Sequence, residues 1–259
     1  MVAQKKSYRN VRISIRMAEE QTILNEPVTV IFFSCRRLHL LQRTVDAFLQ
    51  HNTYPITEYI VVNDSADPII HDEIRKSYPN FTLVLNKENV GLFKSIDLGY
   101  QHVKTNYHFL CEDDWMITKG GFIEKSLAIM QGRSDIEEVW LDDYSKHPLE
   151  KIIHETNGVK YVLAQDDYYY EAGFIYGWHG FTTSCALKRI EDYRKVGSYG
   201  EIVDKWLSDK SHNPSIWHRE HAIGQEYRKL GYRTAVLIDA VYAKNIGFGQ
   251  SEYKSGGEK

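Results

Sequence analysis

The sequence predicts an α/β fold in which helices cover both faces of a mostly parallel central sheet. In the first half of the chain, runs of β-branched and aromatic residues alternate with segments whose apolar residues recur at helical spacing. Polar residues follow each of these runs, which is typical of the carboxyl edge of a parallel sheet, where ligands bind. The second half is less regular and predicts a mixed subregion of the same domain.

The elements of the first half follow one another in a regular order. The runs that predict strands are residues 28–34, 59–63, 81–85 and 107–111. The segments with helical spacing are residues 38–49, 70–74, 92–103 and 122–130. Asp67-Pro68 begins the second of these helices with an N-cap followed by proline. This βα alternation predicts parallel strands whose carboxyl ends meet at one edge.

Fewer elements are clear in the second half. Short strands are predicted at residues 138–141 and 234–238, and helices at residues 190–196 and 220–230. Residues 145–161 predict a loop or a hairpin. We expect one domain with an N-terminal arm, two halves and a mobile tail, over residues 1–27, 28–135, 136–250 and 251–259.

The composition excludes several classes of protein. A net charge of -3 over 259 residues is not that of a general nucleic-acid binder, which is normally basic. Cys35, Cys111 and Cys185 are too sparse for a disulfide framework or a zinc site, and they favour a reducing compartment. The sequence contains no apolar run of transmembrane length and no signal-peptide pattern. We therefore expect a cytoplasmic protein with no nucleic-acid partner and no transmembrane segment.

The most informative motif is the acidic triplet Glu112-Asp113-Asp114, which directly follows the fourth predicted strand. Three adjacent carboxylates repel one another unless a cation compensates them. A divalent ion bound to a diphosphate would do so, with Asp114 as its most direct ligand, because Mg²⁺ and Mn²⁺ prefer carboxylate and phosphate oxygens. A solvated acidic turn is the alternative, but the position after a buried strand and before Trp115 favours a metal.

Taken together, these features resemble the nucleotide-binding half of GT-A glycosyltransferases, particularly those of family 2. The resemblance rests on four segments in order, at residues 29–34, 60–65, 89–91 and 109–114. The acidic triplet is similar to the Glu-Asp-Asp form of the metal-binding DXD motif. The resemblance implies a GT-A, Rossmann-like fold. It also implies transfer of a sugar from a nucleotide diphosphate sugar, with UDP as the default nucleotide, to a carbohydrate or glycoconjugate acceptor.

The resemblance assigns residues 28–135 to the nucleotide sugar and residues 136–250 to acceptor binding and catalysis. The residues expected to contact the nucleotide sugar are Ser34, Arg36, Asp64, Asn89, Gly91, Lys94 and Asp113. Asp64 would contact the base and Lys94 the phosphates, while Asp114 and Glu112 would bind Mn²⁺ or Mg²⁺. Ordinary turn chemistry is the alternative for Asp64, Asn89 and Gly91, and a solvated helix position is the alternative for Lys94.

A general base is also implied by the resemblance. Inverting transfer needs a base that deprotonates the acceptor hydroxyl. In the family this base is an acid at the start of a helix that ends in Gly-Tyr-Arg, here Gly231-Tyr232-Arg233. The matching residue is Glu220, although Arg219 and His221 flank it where the family usually has an acidic pair. The alternative is a glutamate favoured at a helix start by the macrodipole.

Acceptor contacts are expected from the second half, at Asp142, Asp143, Trp178 and His179. Trp178 would stack on a sugar, with core packing as the alternative, and a simple turn is the alternative for the two aspartates. Residues 245–251 resemble the C-terminal loop of the family, which often carries a histidine that contacts metal or phosphate. The matching residue here is Asn245, which is a weaker metal ligand.

Two other functions remain open. A sugar nucleotidyltransferase normally carries a glycine-rich basic loop after the first strand, and residues 34–37 contain no glycine. A non-catalytic carbohydrate-binding protein on a degenerate transferase fold is the other alternative. It stays open because Glu220 lacks an acidic neighbour and because asparagine stands at position 245.

Overall fold

The computed structural model describes residues 26–143, 145, 147–171, 174–209 and 216–247. The expected arm over residues 1–27 lies outside these ranges except for residues 26 and 27. The expected tail over residues 251–259 lies outside them entirely. None of the described helices combines the length and the apolar character that a bilayer crossing requires.

Strands and helices alternate through the first half of the described chain. The strands are β1 (Val28–Ser34), β2 (Glu58–Asn63), β3 (Thr82–Leu85), β4 (Tyr107–Glu112), β5 (Trp115–Ile117), β6 (Ile136–Trp140), β7 (His154–Thr156), β8 (Val159–Leu163), β9 (Asp167–Glu171), β10 (Phe174–Trp178), β11 (Ala186–Arg189), β12 (Arg233–Leu237) and β13 (Ala243–Asn245). The helices are α1 (Leu38–His51), α2 (Pro68–Ser77), α3 (Leu92–Tyr100), α4 (Phe122–Gly132), α5 (Ile190–Val196), α6 (Tyr199–Ser208) and α7 (Ile216–Lys229).

A central sheet of nine strands organises the described chain, in the order β3-β2-β1-β4-β11-β6-β12-β8-β7. β1 pairs in parallel with β2 and β4, and β2 pairs in parallel with β3, as the sequence predicts. The strand order therefore reverses between β1 and β4, and a crevice at such a switch point is the usual ligand site of an α/β sheet. β12 is parallel to β6, whereas β11 and β8 run antiparallel to their neighbours, so the second half is mixed.

Helices pack on both faces of this sheet, and its central strands are accordingly buried and mostly apolar, as strands covered on two sides are. β1 is buried throughout. Phe32 meets Phe48 of α1 edge-on, with ring centroids 5.6 Å apart. Phe33 belongs to the opposite cluster, with Phe93 of α3 and Tyr199 of α6. The predicted α/β class with helices on both faces is confirmed.

Several elements of the second half were not predicted from the sequence. The strand β11 lies at the centre of the sheet, yet it has only four residues, including a buried lysine at position 188. The helix α6, the hairpin of β9 and β10 and the small sheet of β5 and β13 were not predicted either. The helix predicted at residues 220–230 starts earlier, at Ile216.

Candidate active site

A pocket opens at the carboxyl edge of the sheet, beside the switch point between β1 and β4. Its lining combines residues that follow β1, β2 and β4 with residues of α3. The lining residues are Phe33, Ser34, Cys35, Arg37, Asp64, Leu92, Ser95, Glu112 and Asp113. The structure thus brings together four of the residues expected at the nucleotide sugar and metal, namely Ser34, Asp64, Glu112 and Asp113.

Arg37 provides the positive charge that the acidic triplet contacts. Its guanidinium donates to the carboxylate of Asp113, and its Nη1 lies 3.0 Å from Oδ2 of Asp114. The expected residue, Arg36, is exposed and does not line the pocket. Two adjacent arginines after β1 are visible in the sequence, but only the geometry of the loop shows that Arg37 faces the acids.

Among the described residues, one oxygen of each aspartate is buried and has no hydrogen-bond partner, namely Oδ2 of Asp113 and Oδ1 of Asp114. The pKa of Asp113 is raised to about 6. Burial is the largest cause, Arg37 opposes the shift and the charge of Asp114 adds to it. Buried carboxylate oxygens are costly unless a donor or a cation satisfies them. Both oxygens therefore fit the ligand chemistry of Mg²⁺ or Mn²⁺.

Metal ligands from the protein alone are few. Within the described ranges, no group of three or more His, Cys, Asp or Glu side chains is arranged to hold a metal ion. Asp113 and Asp114 each offer one buried carboxylate oxygen to a cation. Magnesium in phosphate-binding enzymes is commonly bound in this way, by one or two carboxylates together with phosphate oxygens and water.

Glu112 faces the second half of the chain. Its Oε1 lies 3.2 Å from the hydroxyl of Thr183. Burial raises the pKa of Glu112 well above its ordinary value, and the charges of Asp114, Glu220 and Asp113 raise it further. The first acid of the triplet is thus grouped with Thr183 and with the expected base.

Glu220 lies on the other side of Thr183. Its Oε1 accepts hydrogen bonds from the backbone N–H of Thr183 at 2.8 Å and from the Thr183 hydroxyl at 2.7 Å. Burial raises the pKa of Glu220, while Thr183 and Lys188 oppose that shift. The structure therefore joins the acidic triplet and the expected base through one threonine, which the sequence analysis did not single out.

Asp64 fixes the loop that contains Asn89 and Gly91. Its Oδ1 accepts from Asn86 Nδ2 at 2.8 Å and from the N–H of Val90 at 2.9 Å, and its Oδ2 accepts from the N–H of Gly91 at 2.8 Å. Asn89 donates to the main-chain oxygen of Asp64 at 2.7 Å. Gly91 has a φ of +86°, which favours glycine at this turn before α3. The contact of Asp64 with a base stays a prediction.

Lys94 lies apart from the pocket. Its Nζ is 2.8 Å from Oδ2 of Asp204 on α6, and both side chains are at least half exposed. The expected phosphate contact of Lys94 stays a prediction, and so does the alternative of a solvated helix position.

Asp142 and Trp178 lie at the rim of an aromatic cluster. The rings of Trp140 and His147 are 4.2 Å apart, and those of Trp140 and Trp178 are 5.8 Å apart. Nε2 of His147 is 2.8 Å from Oδ2 of Asp142. Asp143 closes a local turn by accepting from Ser145. The cluster thus combines aromatic faces with a carboxylate, and His147 is a member that the sequence analysis missed.

His179 belongs to a different group, beside α7. Its Nδ1 is 3.2 Å from Oδ1 of Asp166, and its ring stacks on that of His221 with centroids 5.5 Å apart. His221 directly follows Glu220 in α7. The structure therefore places His179 near the expected base and not with Asp142.

The C-terminal segment approaches the triplet from β13, in which Asn245 pairs with Trp115 of β5. The N–H of Ile246 donates to the main-chain oxygen of Asp114 at 2.7 Å. A Cβ atom on Gly247 would lie 2.4 Å from Oδ2 of Asp114, so only glycine fits there without a shift. The side-chain oxygen of Asn245 accepts from the N–H of Gly247. The segment lies beside the triplet as expected, but Gly247 is the residue that packs on Asp114.

Known proteins show the same architecture. The family profile described as "Glycosyl transferase family 2" matches residues 29–197. Among solved structures, the mannosyltransferase PcManGT from Pyrobaculum calidifontis in complex with GDP-Man and Mn²⁺ is 12% identical with a TM-score of 0.53, over 95% of this chain and 67% of that chain. GalNAc-T7 with UDP, GalNAc and Mn²⁺ is 12% identical with a TM-score of 0.55, over 82% of this chain and 42% of that chain. Curated protein sequences gave no match.

Proposed function

Because the chain belongs to glycosyl transferase family 2 and is a glycosyltransferase of the GT-A fold, we propose how it uses the pocket at the switch point. It transfers a sugar from a nucleotide diphosphate sugar to an acceptor hydroxyl in a metal-dependent, inverting reaction. The carrying observation is that Thr183 joins the acidic triplet at Glu112 to the buried carboxylate of Glu220. The acids proposed to bind the donor and the acid proposed as the base thus lie next to one another at the carboxyl edge of the sheet.

We propose that Asp113 and Asp114 hold Mn²⁺ or Mg²⁺ through their two unpartnered buried oxygens. When bound, the ion would stabilise the charge that develops on the departing diphosphate. Arg37 forms ion pairs with both aspartates and also lines the pocket, so it would contact the diphosphate as well. Glu112 was predicted from the sequence as the second metal ligand, and this assignment stays a prediction. In the structure Glu112 contacts Thr183.

The nucleoside would occupy the part of the pocket between the loop after β1 and the start of α3. Ser34, Asp64 and Ser95 supply polar groups there, and Leu92 supplies an apolar wall. An apolar wall beside several convergent polar groups is typical of small-molecule sites. UDP remains the nucleotide that we expect.

Glu220 would act as the general base. Both hydrogen bonds from Thr183 go to Oε1, and within the described part of the chain no hydrogen bond reaches Oε2. Oε2 would take the proton of the acceptor hydroxyl while the acceptor oxygen bonds to the anomeric carbon and the bond to the diphosphate breaks. Burial favours this role because it raises the pKa of Glu220 toward the working range of a base.

The acceptor would lie against the cluster of Trp140, His147 and Trp178. Sugar rings present C–H faces that pack on aromatic rings, and Asp142 at the edge of the cluster can accept hydrogen bonds from sugar hydroxyls. The carboxyl end of β6, which precedes Asp142, lies at the same edge of the sheet as the acidic triplet because β6 and β4 run in the same direction.

A transfer assay tests the proposal. UDP-, GDP- and dTDP-sugars are incubated with the protein and a panel of acceptors, and nucleoside diphosphate release is measured with Mn²⁺ or with EDTA. We expect release from one donor class that requires the metal and is abolished in Asp114→Ala and in Glu220→Gln. Asp72→Asn, a change at an exposed site on α2, serves as the control and should keep the wild-type rate.

Metal-dependent transfer at the wild-type rate by Asp114→Ala would overturn the metal assignment. Pyrophosphate formed from a nucleoside triphosphate and a sugar 1-phosphate would identify a nucleotidyltransferase instead. Sugar binding without release from any donor would identify a non-catalytic binding protein.

A further inference from the structure

The segment that precedes β11 crosses the site between the acidic triplet and α7. Because β11 runs antiparallel to β4, with Ala186 opposite Leu110, the residues just before it lie at the carboxyl edge of β4. Thr183 in this segment is 3% exposed. Its N–H and its hydroxyl both donate to one oxygen of Glu220, at 2.8 and 2.7 Å. A hydroxyl has a single proton, and the contact with Glu220 is shorter than the one with Glu112 at 3.2 Å.

The backbone of Thr182, the residue before Thr183, is held through both its N–H and its carbonyl oxygen. The N–H of Thr182 donates to Oε1 of Glu138 at 3.1 Å, and its carbonyl oxygen accepts from Nζ of Lys188 at 2.8 Å. Glu138 and Lys188 form an ion pair inside the sheet, between β6 and β11, and their side chains are 0% and 5% exposed. A buried and fully paired anchor of this kind restricts the backbone from which Thr183 projects.

The residue after Thr183 is held as well. The hydroxyl of Ser184 accepts from Nε1 of Trp140 at 2.6 Å and lies 2.9 Å from the hydroxyl of Thr182. Trp140 belongs to the aromatic cluster where we place the acceptor. The same short segment therefore contacts the acceptor side, the base and the acidic triplet.

We propose that Thr183 is the positioning residue of the general base. Its two donors fix Oε1 of Glu220 and leave Oε2 for the acceptor hydroxyl, so the carboxylate does not have to find its orientation when the acceptor binds. This inference rests on the proposed role of Glu220. It goes further because it assigns the orientation of the base to a residue of the segment that precedes β11.

Substitutions at Thr183 test the inference through kcat. Thr183→Val keeps the backbone donor and removes the hydroxyl, and we expect kcat to fall by about 10- to 100-fold, as it does when a catalytic group is misplaced. The KM for the donor and the affinity for nucleoside diphosphate with Mn²⁺ should stay within about twofold, because the hydroxyl acts after donor binding. Thr183→Ser retains the hydroxyl and should restore kcat. Thr183→Ala is the second variant if the valine substitution prevents folding.

A double-mutant cycle separates positioning from general loss of structure. If Thr183 acts through Glu220, adding Thr183→Val to Glu220→Gln should not lower the residual kcat further, because interacting residues are not additive. The matched control is Thr29→Val, which removes a buried hydroxyl that is hydrogen-bonded to the hydroxyl of Thr105. Thr29 lies at the start of β1, at the end of the strand away from the pocket. This control substitution should leave kcat unchanged. If the Glu220→Gln rate is below detection, the valine and serine variants decide alone.

Two results would overturn the inference. The first is a wild-type kcat in both Thr183→Val and Thr183→Ala. The second is a loss of kcat that serine does not restore, or that is equally large with and without Glu220→Gln, since this is the behaviour of a structural residue. Failure of the underlying function is distinct, because Glu220→Gln would then keep the wild-type kcat whatever happens at Thr183.

Discussion

At the scale of single residues, the site depends on carboxylates whose surroundings differ. Asp113 and Asp114 share Arg37 and each keep one unpartnered buried oxygen, which suits a cation. Glu220 has two donors on one oxygen and an environment that raises its pKa. Acids in different environments can take different roles at one pH, and the roles that we propose here are metal binding and proton transfer.

The pH dependence of transfer should report the pKa of Glu220. The base must be deprotonated to act, and burial raises its pKa above the ordinary 4.5. The value of kcat/KM for the acceptor, at saturating donor and metal, should therefore fall as the pH drops through that raised pKa and level off above it. Rate measurements between about pH 4 and pH 9 check this.

The control for this profile is Glu220→Gln, whose residual rate should lose the acidic limb. A wild-type limb centred at or below 4.5 would contradict a buried base with a raised pKa.

The sequence predicted which residues follow the parallel strands, because a strand end is a local feature. Ser34, Asp64, Glu112 and Asp113 were located in this way and line the same pocket. Arg37 and Thr183 were missed because their roles depend on contacts between distant parts of the chain. The pairing of Lys94 with Asp204 on α6 was missed for the same reason, and the phosphate contact expected of Lys94 stays a prediction.

At the scale of elements, β11 determines how the two halves of the domain meet. It lies between β4 and β6, and the segment before it supplies Thr183. The pattern of apolar residues could not reveal it, because Lys188 stands at a buried central position. That charge is tolerated because Glu138 on the neighbouring strand pairs with it. The regular βα units of the first half depend on local periodicity and were predicted correctly.

The buried ion pair of Lys188 and Glu138 should contribute to the free energy of unfolding. Lys188→Met should lower the free energy of unfolding by about 3 to 5 kcal/mol, because it leaves the Glu138 carboxylate buried without its partner. The double variant Lys188→Met with Glu138→Met should recover most of this loss. Denaturant unfolding monitored by circular dichroism measures both variants.

The exposed pair Lys76–Glu73 on α2 provides the control, since Lys76→Met should change stability by less than about 1 kcal/mol. An equally small effect of Lys188→Met would show that the ion pair does not hold β11 in place.

At the scale of the whole molecule, the residues that we propose for the nucleotide sugar and for the acceptor share one sheet edge. The parallel strands β1, β2 and β4 bring the proposed donor residues to that edge. The mixed second half brings Glu220 and the aromatic cluster to the same place. The family match spans residues 29–197 and ends before Glu220, so the base assignment depends on the geometry of α7 and Thr183. The cytoplasmic location expected from the cysteines stays a prediction.

A calorimetric titration shows most directly whether the acidic pocket binds a nucleoside diphosphate together with a divalent metal. UDP, GDP and dTDP are each titrated into the protein with Mn²⁺ and without it. We expect one nucleotide, UDP, to bind only when the metal is present, because Asp113 and Asp114 would hold the ion against the diphosphate. The absence of binding by any of the three to folded protein, or equal binding without Mn²⁺, would contradict this expectation.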